Sequence, residues 1–264
     1  PTTPRRCCAG QSAGWGDGSE ETSGDNIERS TSNIQRSGDD ALRRHYERGG
    51  ILGRPSTVTT SDVITLAAAY LLGAVPFGLL VGKLKGIDIR AHGSGNIGAT
   101  NVLRVLGKPL GITTFVLDAL KGFLPAFFFH GWFGATMDRE ILSVLCGAAA
   151  ILGHNFPVFL GFKGGKGIAT SAGVLIGIAP LAALTGVITW AVVFFASRYV
   201  SLASIVAAVA VIAAGWVFYA DGHIIRPVVL TILGLLAIVR HKANIKRLLD
   251  GTENRFVKKS KKSD

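Results

Sequence analysis

Apolar segments separated by short polar knots fill nearly everything from Val58 to Val239, and this pattern constrains the fold more than any other feature of the chain. The first, Val63–Val81 (VITLAAAYLLGAVPFGLLV), approaches the ~20 apolar residues needed to cross the hydrocarbon core of a bilayer. Others follow at about Leu110–Phe129, Ile141–Phe162, Ile168–Leu184, Val187–Ala196, Leu202–Ala220 and Ile224–Val239. Within lipid, only helices and closed barrels satisfy every backbone polar group. The expected fold is therefore all-α: a polytopic integral membrane protein of about seven transmembrane helices, with glycine-rich loops at one face. The mean hydropathy of +0.41 agrees. Thr60, Ser61 and Asp62 offer capping oxygens before the first span, and Pro76 is expected to kink it. The weakest division is Thr185–Gly186, which leaves Val187–Ala196 short for a span.

Charge placement orients this set. The net charge of +11 lies entirely beyond residue 57, because arginines and acids balance before it. With seven spans, one face collects Lys83, Lys85, Arg90, Arg104, Lys108, Lys163, Lys166, Arg198 and the cations after Val239; the other holds Arg139 and Arg226. The positive-inside rule places the crowded face and the C-terminus in the cytoplasm. A basic balance distributed this way fits a membrane protein and not nucleic-acid binding, for which no zinc-finger spacing or aromatic-laced basic patch exists. Cys7, Cys8 and Cys146 form neither a disulfide framework nor a metal site.

Three organisational units are expected. Residues 1–57 read as a disordered polar extension, poor in aliphatics; the lack of any lysine before Lys83 and of an initiating Met suggests that the mature protein does not contain it. Residues 58–257 form the membrane domain, and 258–264 a basic tail.

Three knots on the crowded face carry candidate chemistry. Gly93–Lys108 (GSGNIGATNVLRVLGK) combines glycines, hydroxyls, asparagines and two cations. Glycines let backbone N–H groups converge into nests that bind anions, although the same residues dominate ordinary turns. Residues 153–170 (GHNFPVFLGFKGGKGIAT) contain FKGGKG before a helix start. This is not a nucleotide P-loop: Gly161 is one residue too close, and Gly167 stands where a magnesium-binding Ser or Thr belongs. Lysines among glycines at a helix N-terminus remain an anion site; the alternative is that Lys163 and Lys166 anchor a span end. Residues 240–256 (RHKANIKRLLDGTENRF) place His241 and Asn244 on one helical face, either as site residues or as part of a tail lying on lipid. Asp118 and Lys121, one turn apart inside a span, read as an ion pair facing the bundle interior. His154 reads as a span-breaking residue bonded to carbonyls freed by Pro157.

Together, the three knots and DALKGFLPA closely resemble the bacterial acyl-phosphate:glycerol-3-phosphate acyltransferases over about Ser61–Arg255. The resemblance implies acyl transfer from an acyl phosphate to the sn-1 hydroxyl of glycerol 3-phosphate, giving 1-acyl-glycerol 3-phosphate and phosphate, the first step of phospholipid synthesis. It implies a bacterial inner-membrane location with a cytoplasmic site, no metal or cofactor, no nucleic acid, and supply by a soluble acyl-phosphate synthase. Ser94, Arg104, Lys163, His241 and Asn244 match the family's catalytic positions. Asn96, Gly98, Thr100, Asn101, Gly164, Gly165, Lys166 and Gly167 match its substrate-binding loops. The proton acceptor is either His241 or the donor's own phosphate, the second being the family's reading. Arg104→Ala and Lys163→Ala are each expected to abolish turnover.

Two other classes fit less well. Acyltransferases with an H-x-x-x-x-D pair are disfavoured, since none of the six histidines has an acid at that spacing. An organic-anion transporter would place its cations near the membrane midplane between repeated halves, and no internal repeat is present.

Overall fold

The computed structural model describes residues 58–221 and 224–256. The expected N-terminal extension and basic tail lie outside them. Ten α-helices are formed among the described residues, with no strand: α1 Thr60–Ala74, α2 Phe77–Leu84, α3 Ala99–Leu106, α4 Lys108–Phe128, α5 Arg139–Asn155, α6 Ile168–Ile178, α7 Pro180–Ser197, α8 Val200–Tyr219, α9 Ile225–Arg240 and α10 Lys242–Leu249. Five segments are long and apolar enough to span a bilayer, the first being α1 and α2 together. The pair α9 and α10, bent by 53°, counts as a sixth only when taken as one broken span. Ile168–Ile178 is apolar but too short by itself. Among the described residues, five or six segments thus meet the length requirement, in keeping with the expected fold of about seven transmembrane helices. Large apolar side chains such as Val63, Ile112, Val187, Val192, Phe195 and Val217 remain exposed around the bundle, as a lipid-facing surface requires. The chain is a multi-pass membrane protein.

The boundary expected at Thr185–Gly186 falls instead at Ala179–Pro180. Pro180 opens α7, where a missing N–H is harmless and a fixed φ favours the helix. Thr185 lies inside α7, its hydroxyl satisfied by donating to Leu181 O at 2.9 Å. The first helix is capped one residue earlier than expected. Thr59 is the N-cap, its Oγ1 accepting from Asp62 N at 3.4 Å while Asp62 Oδ2 accepts from Thr59 N at 2.8 Å. Asp62 also accepts from Thr136 N and Met137 N, tying this end to the connection before α5.

At Pro76, where a kink was expected, the helix is interrupted and α1 is separated from α2. A buried cation holds it: Lys121 donates to Val75 O at 2.7 Å and pairs with Asp118 at 2.9 Å. Both side chains are almost wholly buried, so each charge is compensated inside the bundle. His154 departs from expectation. Its Nδ1 faces Asp118 at 3.7 Å rather than a freed carbonyl.

Close backbone approach fixes α4 against α6. A Cβ on Gly122 would run into Thr170 O, and one on Gly173 into Ala119 O; small residues at such a crossing let packing replace the missing hydrophobic drive in lipid. Helix α1 packs on α5, and α7 on α8. The connections place the 85–107 loop, the 156–167 loop, the α7–α8 turn and α10 at one end of the bundle. Contacts at both ends agree. Ser201 at the start of α8 bonds Glu253 after α10, whereas Arg226 pairs with Glu140 at the opposite end, 2.9 Å apart.

Candidate functional site

The first glycine loop is braced by one of its own residues. Asn101, 1% exposed, uses its entire amide. Its Oδ1 accepts from Ser94 N at 2.8 Å, and its Nδ2 donates to Ile89 O and His92 O, each at 3.0 Å. Asn96 Oδ1 accepts from Gly98 N at 2.8 Å. Beneath lie Leu79, Ile89, Ile97 and Val102, an apolar floor from α2, the loop and α3. Asn101 therefore shapes the loop from inside, and with Ser94, Asn96, Gly98, Thr100 and Arg104 it lines a cavity.

The second loop begins where α5 ends. Gly161 and Phe162 both adopt left-handed φ values, 57° and 62°, and turn the chain back towards α5. Gly165 N donates to His154 O at 3.1 Å, and a Cβ on Gly165 would collide with the His154 ring. Only glycine fits there. Arg240 closes the loop from the other side, donating to Gly164 O at 2.9 Å and to Gly165 O at 2.8 and 3.1 Å. Its guanidinium also lies over the Phe156 ring at 5.2 Å, a favourable cation–π placement.

The two lysines of this loop are separated by its turn. Lys163 is exposed and lines neither of two cavities at this end of the bundle, whereas Lys166 lines both. Gly167, Ile168 and Ala169 also line the larger one, whereas Gly164 and Gly165 do not. Of the two lysines of FKGGKG, Lys166 borders the cavities and Lys163, expected as a catalytic residue, is exposed beside them.

The third knot arrives through α9 and α10. His241 and Asn244, 2% and 5% exposed, do share one face. His241 Nδ1 is 2.8 Å from Ala237 O; a carbonyl only accepts, so Nδ1 carries the proton and Nε2 is left as an acceptor. Asn244 bridges two charges. Its Oδ1 accepts from Lys166 Nζ, and its Nδ2 donates to Glu253 at 2.7 Å. Glu253 also accepts from Arg247 at 2.7 Å and Ser201 at 3.0 Å. Burial by itself would raise the Glu253 carboxyl, but bonds from Asn244, Arg247 and Ser201 hold it below the usual carboxylate range. For Lys166, burial dominates and brings the ammonium down to about 8; Glu253 opposes this, while Arg247, Arg104 and Arg240 reinforce it.

Two cavities meet here. The larger, about 750 Å³, is mostly apolar and extends from Arg104 and His241 past Trp190 and Phe194 to Val211 and Leu233. The smaller, about 430 Å³, is lined by Lys166, Arg240, Lys242 and Arg247. Ser94, Asn96, Lys166 and Asn244 belong to both. The N-terminal ends of α3 and α6 also open on the larger cavity through Ala99 and Thr100, and through Ile168 and Ala169. Those four N–H groups have no acceptor among the described residues, as expected of first-turn donors facing an anion site. The arrangement can seat a long apolar tail with an anionic head, and bring a second, soluble anion against it.

Arg240, Arg247, Ser201 and Glu253 were not legible as site residues. Glu253 had one signal: it is an acid close behind a strongly basic stretch. Arg240 had none beyond adjacency to His241.

Comparisons with known proteins converge. The family model described as glycerol-3-phosphate acyltransferase matches residues 63–251. A glycerol-3-phosphate acyltransferase of Aquifex aeolicus (strain VF5) is 48% identical over 189 residues, covering 71% of this chain and 95% of that protein. One from Desulfotalea psychrophila (strain LSv54 / DSM 12343) is 43% identical over 198 residues, covering 75% and 100%. The crystal structure of PlsY, an integral membrane glycerol 3-phosphate acyltransferase, in its glycerol 3-phosphate form is 43% identical, with a TM-score of 0.67 and coverage of 75% of this chain and 96% of that one. Its lysophosphatidic acid form is 42% identical, with a TM-score of 0.65 and the same coverage.

Proposed function

The chain belongs to the glycerol-3-phosphate acyltransferase family, and we propose that it acylates the sn-1 hydroxyl of glycerol 3-phosphate with an acyl phosphate as donor. The observation that carries this reading is the junction of an apolar cavity with a cation-lined one at Ser94, Asn96, Lys166 and Asn244. The donor's acyl chain occupies the apolar cavity, and its phosphate rests on the N-terminal ends of α3 and α6 beside Arg104 and Lys166. Glycerol 3-phosphate enters from the polar side, where Arg247 and Lys242 read its phosphate.

Chemistry follows from the donor. An acyl phosphate is a mixed anhydride, so no covalent enzyme nucleophile is needed. The sn-1 oxygen attacks the carbonyl carbon; the carbon–oxygen bond to phosphate breaks, and the bridging oxygen leaves with the phosphate. The hydroxyl proton passes to a phosphate oxygen of the donor, while His241 Nε2 and Asn244 orient the attacking alcohol. Ser94 and Lys166 stabilise charge on the carbonyl oxygen and the departing phosphate. Bringing two anions together is the main barrier, and fixed cations with free N–H groups offset it. Lys163 guides anions towards the loop from outside. The site and C-terminus face the cytoplasm of the bacterial inner membrane, in line with the cation-rich end, and a soluble acyl-phosphate synthase supplies the donor.

Purified protein in lipid, given palmitoyl phosphate and glycerol 3-phosphate, is expected to release phosphate and lysophosphatidate in equal amounts. No release, or vectorial uptake of glycerol 3-phosphate without chemistry, would falsify the proposal.

A further inference from the structure

We infer that Arg240 is a positioning residue that keeps the N-terminal end of α6 open for the donor's phosphate by occupying the two carbonyls with which that helix would otherwise close itself. The register makes this specific. In an α-helix each N–H bonds the carbonyl four residues earlier. The carbonyls facing Ile168 N and Ala169 N in a helix extended one turn backwards are therefore those of Gly164 and Gly165. These are the two that Arg240 holds, at 2.9 Å and at 2.8 and 3.1 Å. The first bond of α6 runs from Ser171 N to the N-cap, Gly167 O, at 2.7 Å, and the left-handed φ of 79° at Gly167 ends the helical backbone there. Ile168 and Ala169 line the large cavity with their N–H groups lacking acceptors among the described residues.

Competition for these carbonyls matters because only Lys166 and Gly167 separate them from the helix, and left-handed Gly167 can pass to the helical region without a side-chain penalty. A helix end in an apolar setting gains by pairing its free N–H groups, and glycine permits but does not prevent an added turn. Extension would remove two donors from the anion site and swing Lys166 onto the helix surface, away from Asn244. Arg240 suits the task because a planar fork can bind two neighbouring carbonyls at once, which a lysine cannot. Phe156 beneath the guanidinium sets its plane. Since His241 follows directly, the same contact fixes the third knot against the second.

The inference rests on the proposed acyl-phosphate chemistry, and its test has an arm that does not. Wild type, Arg240→Ala and Arg240→Lys are reconstituted in lipid nanodiscs. In both variants KM for palmitoyl phosphate is expected to rise about tenfold or more, with a smaller change in kcat. Millimolar guanidinium should restore Arg240→Ala, whereas ammonium should not. Independently, hydrogen exchange at the Ile168 and Ala169 amides should slow in both variants as the helix closes, and quicken again with guanidinium. An unchanged KM, or unchanged exchange at 168 and 169, overturns the inference. A wild type without transferase activity refutes the functional reading instead, and leaves the exchange comparison to judge Arg240.

Discussion

The two glycine loops at the site are built on opposite plans. The first is braced from within: Asn101, seven residues beyond Ser94, bonds three backbone groups of its own segment. The second is braced from a distance, by His154 at the end of α5 and by Arg240, 75 residues along the chain from Gly165. A locally braced loop can form once α2 and α3 are in place. One held by the last span takes shape only when the bundle closes, and its single inward lysine is correspondingly sensitive to its surroundings. Similar composition thus yields one loop that is a rigid wall and one that is an assembled instrument.

The largest expected effect lies in the assembled loop. Lys166→Met should lower kcat/KM by about a hundredfold or more with only a small change in thermal stability, because relief of a charge that burial penalises offsets the donor lost by Asn244 Oδ1. Steady-state kinetics beside a melting curve in detergent measure both; a near-normal rate would break the contrast by showing that Lys166 is not at the reacting centre.

Asn101→Ala should act the other way, on the wall. It strands three backbone groups around a buried position, a loss on the order of 3 kcal/mol. The melting temperature should fall together with activity, whereas an inactive but fully stable variant would give Asn101 a direct role on substrate.

A third test uses pH. With Lys166 at about 8 instead of its ordinary 10.5, the ammonium is charged below that value and neutral above it. kcat/KM for both anionic substrates should therefore fall as pH rises through about 8. The stability contribution has the opposite sign, since between about 8 and 10.5 the unfolded chain binds the extra proton and this group's share of stability increases with pH. Lys166→Arg should move the alkaline limb upwards; a limb that stays in place would assign it to another group.

The smallest effect should come from Lys163→Ala. Its side chain is exposed and outside both cavities, so a change within about threefold, abolished by raised salt, is expected of long-range steering. Complete loss would contradict the placement of the two lysines.

What could be foreseen from sequence divides along the same line. The apolar segments, the Pro76 break and the Asp118–Lys121 pair were legible because each depends on residues close together in the chain. Ile168–Leu184 was not resolved correctly, because Pro180 at a helix start and Thr185 bonding its own helix reverse the usual meaning of those residues. Spacing alone could not say which lysine of FKGGKG borders the cavities, because the loop's path depends on left-handed Gly161, Phe162 and Gly167 and on contacts from His154 and Arg240. Arg240 and Glu253 acquire their roles only through partners brought by other spans.

The most direct test of the central claim follows one oxygen atom. Glycerol 3-phosphate carrying a heavy oxygen isotope at the sn-1 hydroxyl is turned over with palmitoyl phosphate, and the products are weighed by mass spectrometry. Attack of the sn-1 oxygen at the acyl carbonyl carbon predicts the label wholly in the ester oxygen of 1-acyl-glycerol 3-phosphate, with unlabelled phosphate released in equal amount. Label in the released phosphate, or free fatty acid in place of the ester, would contradict it.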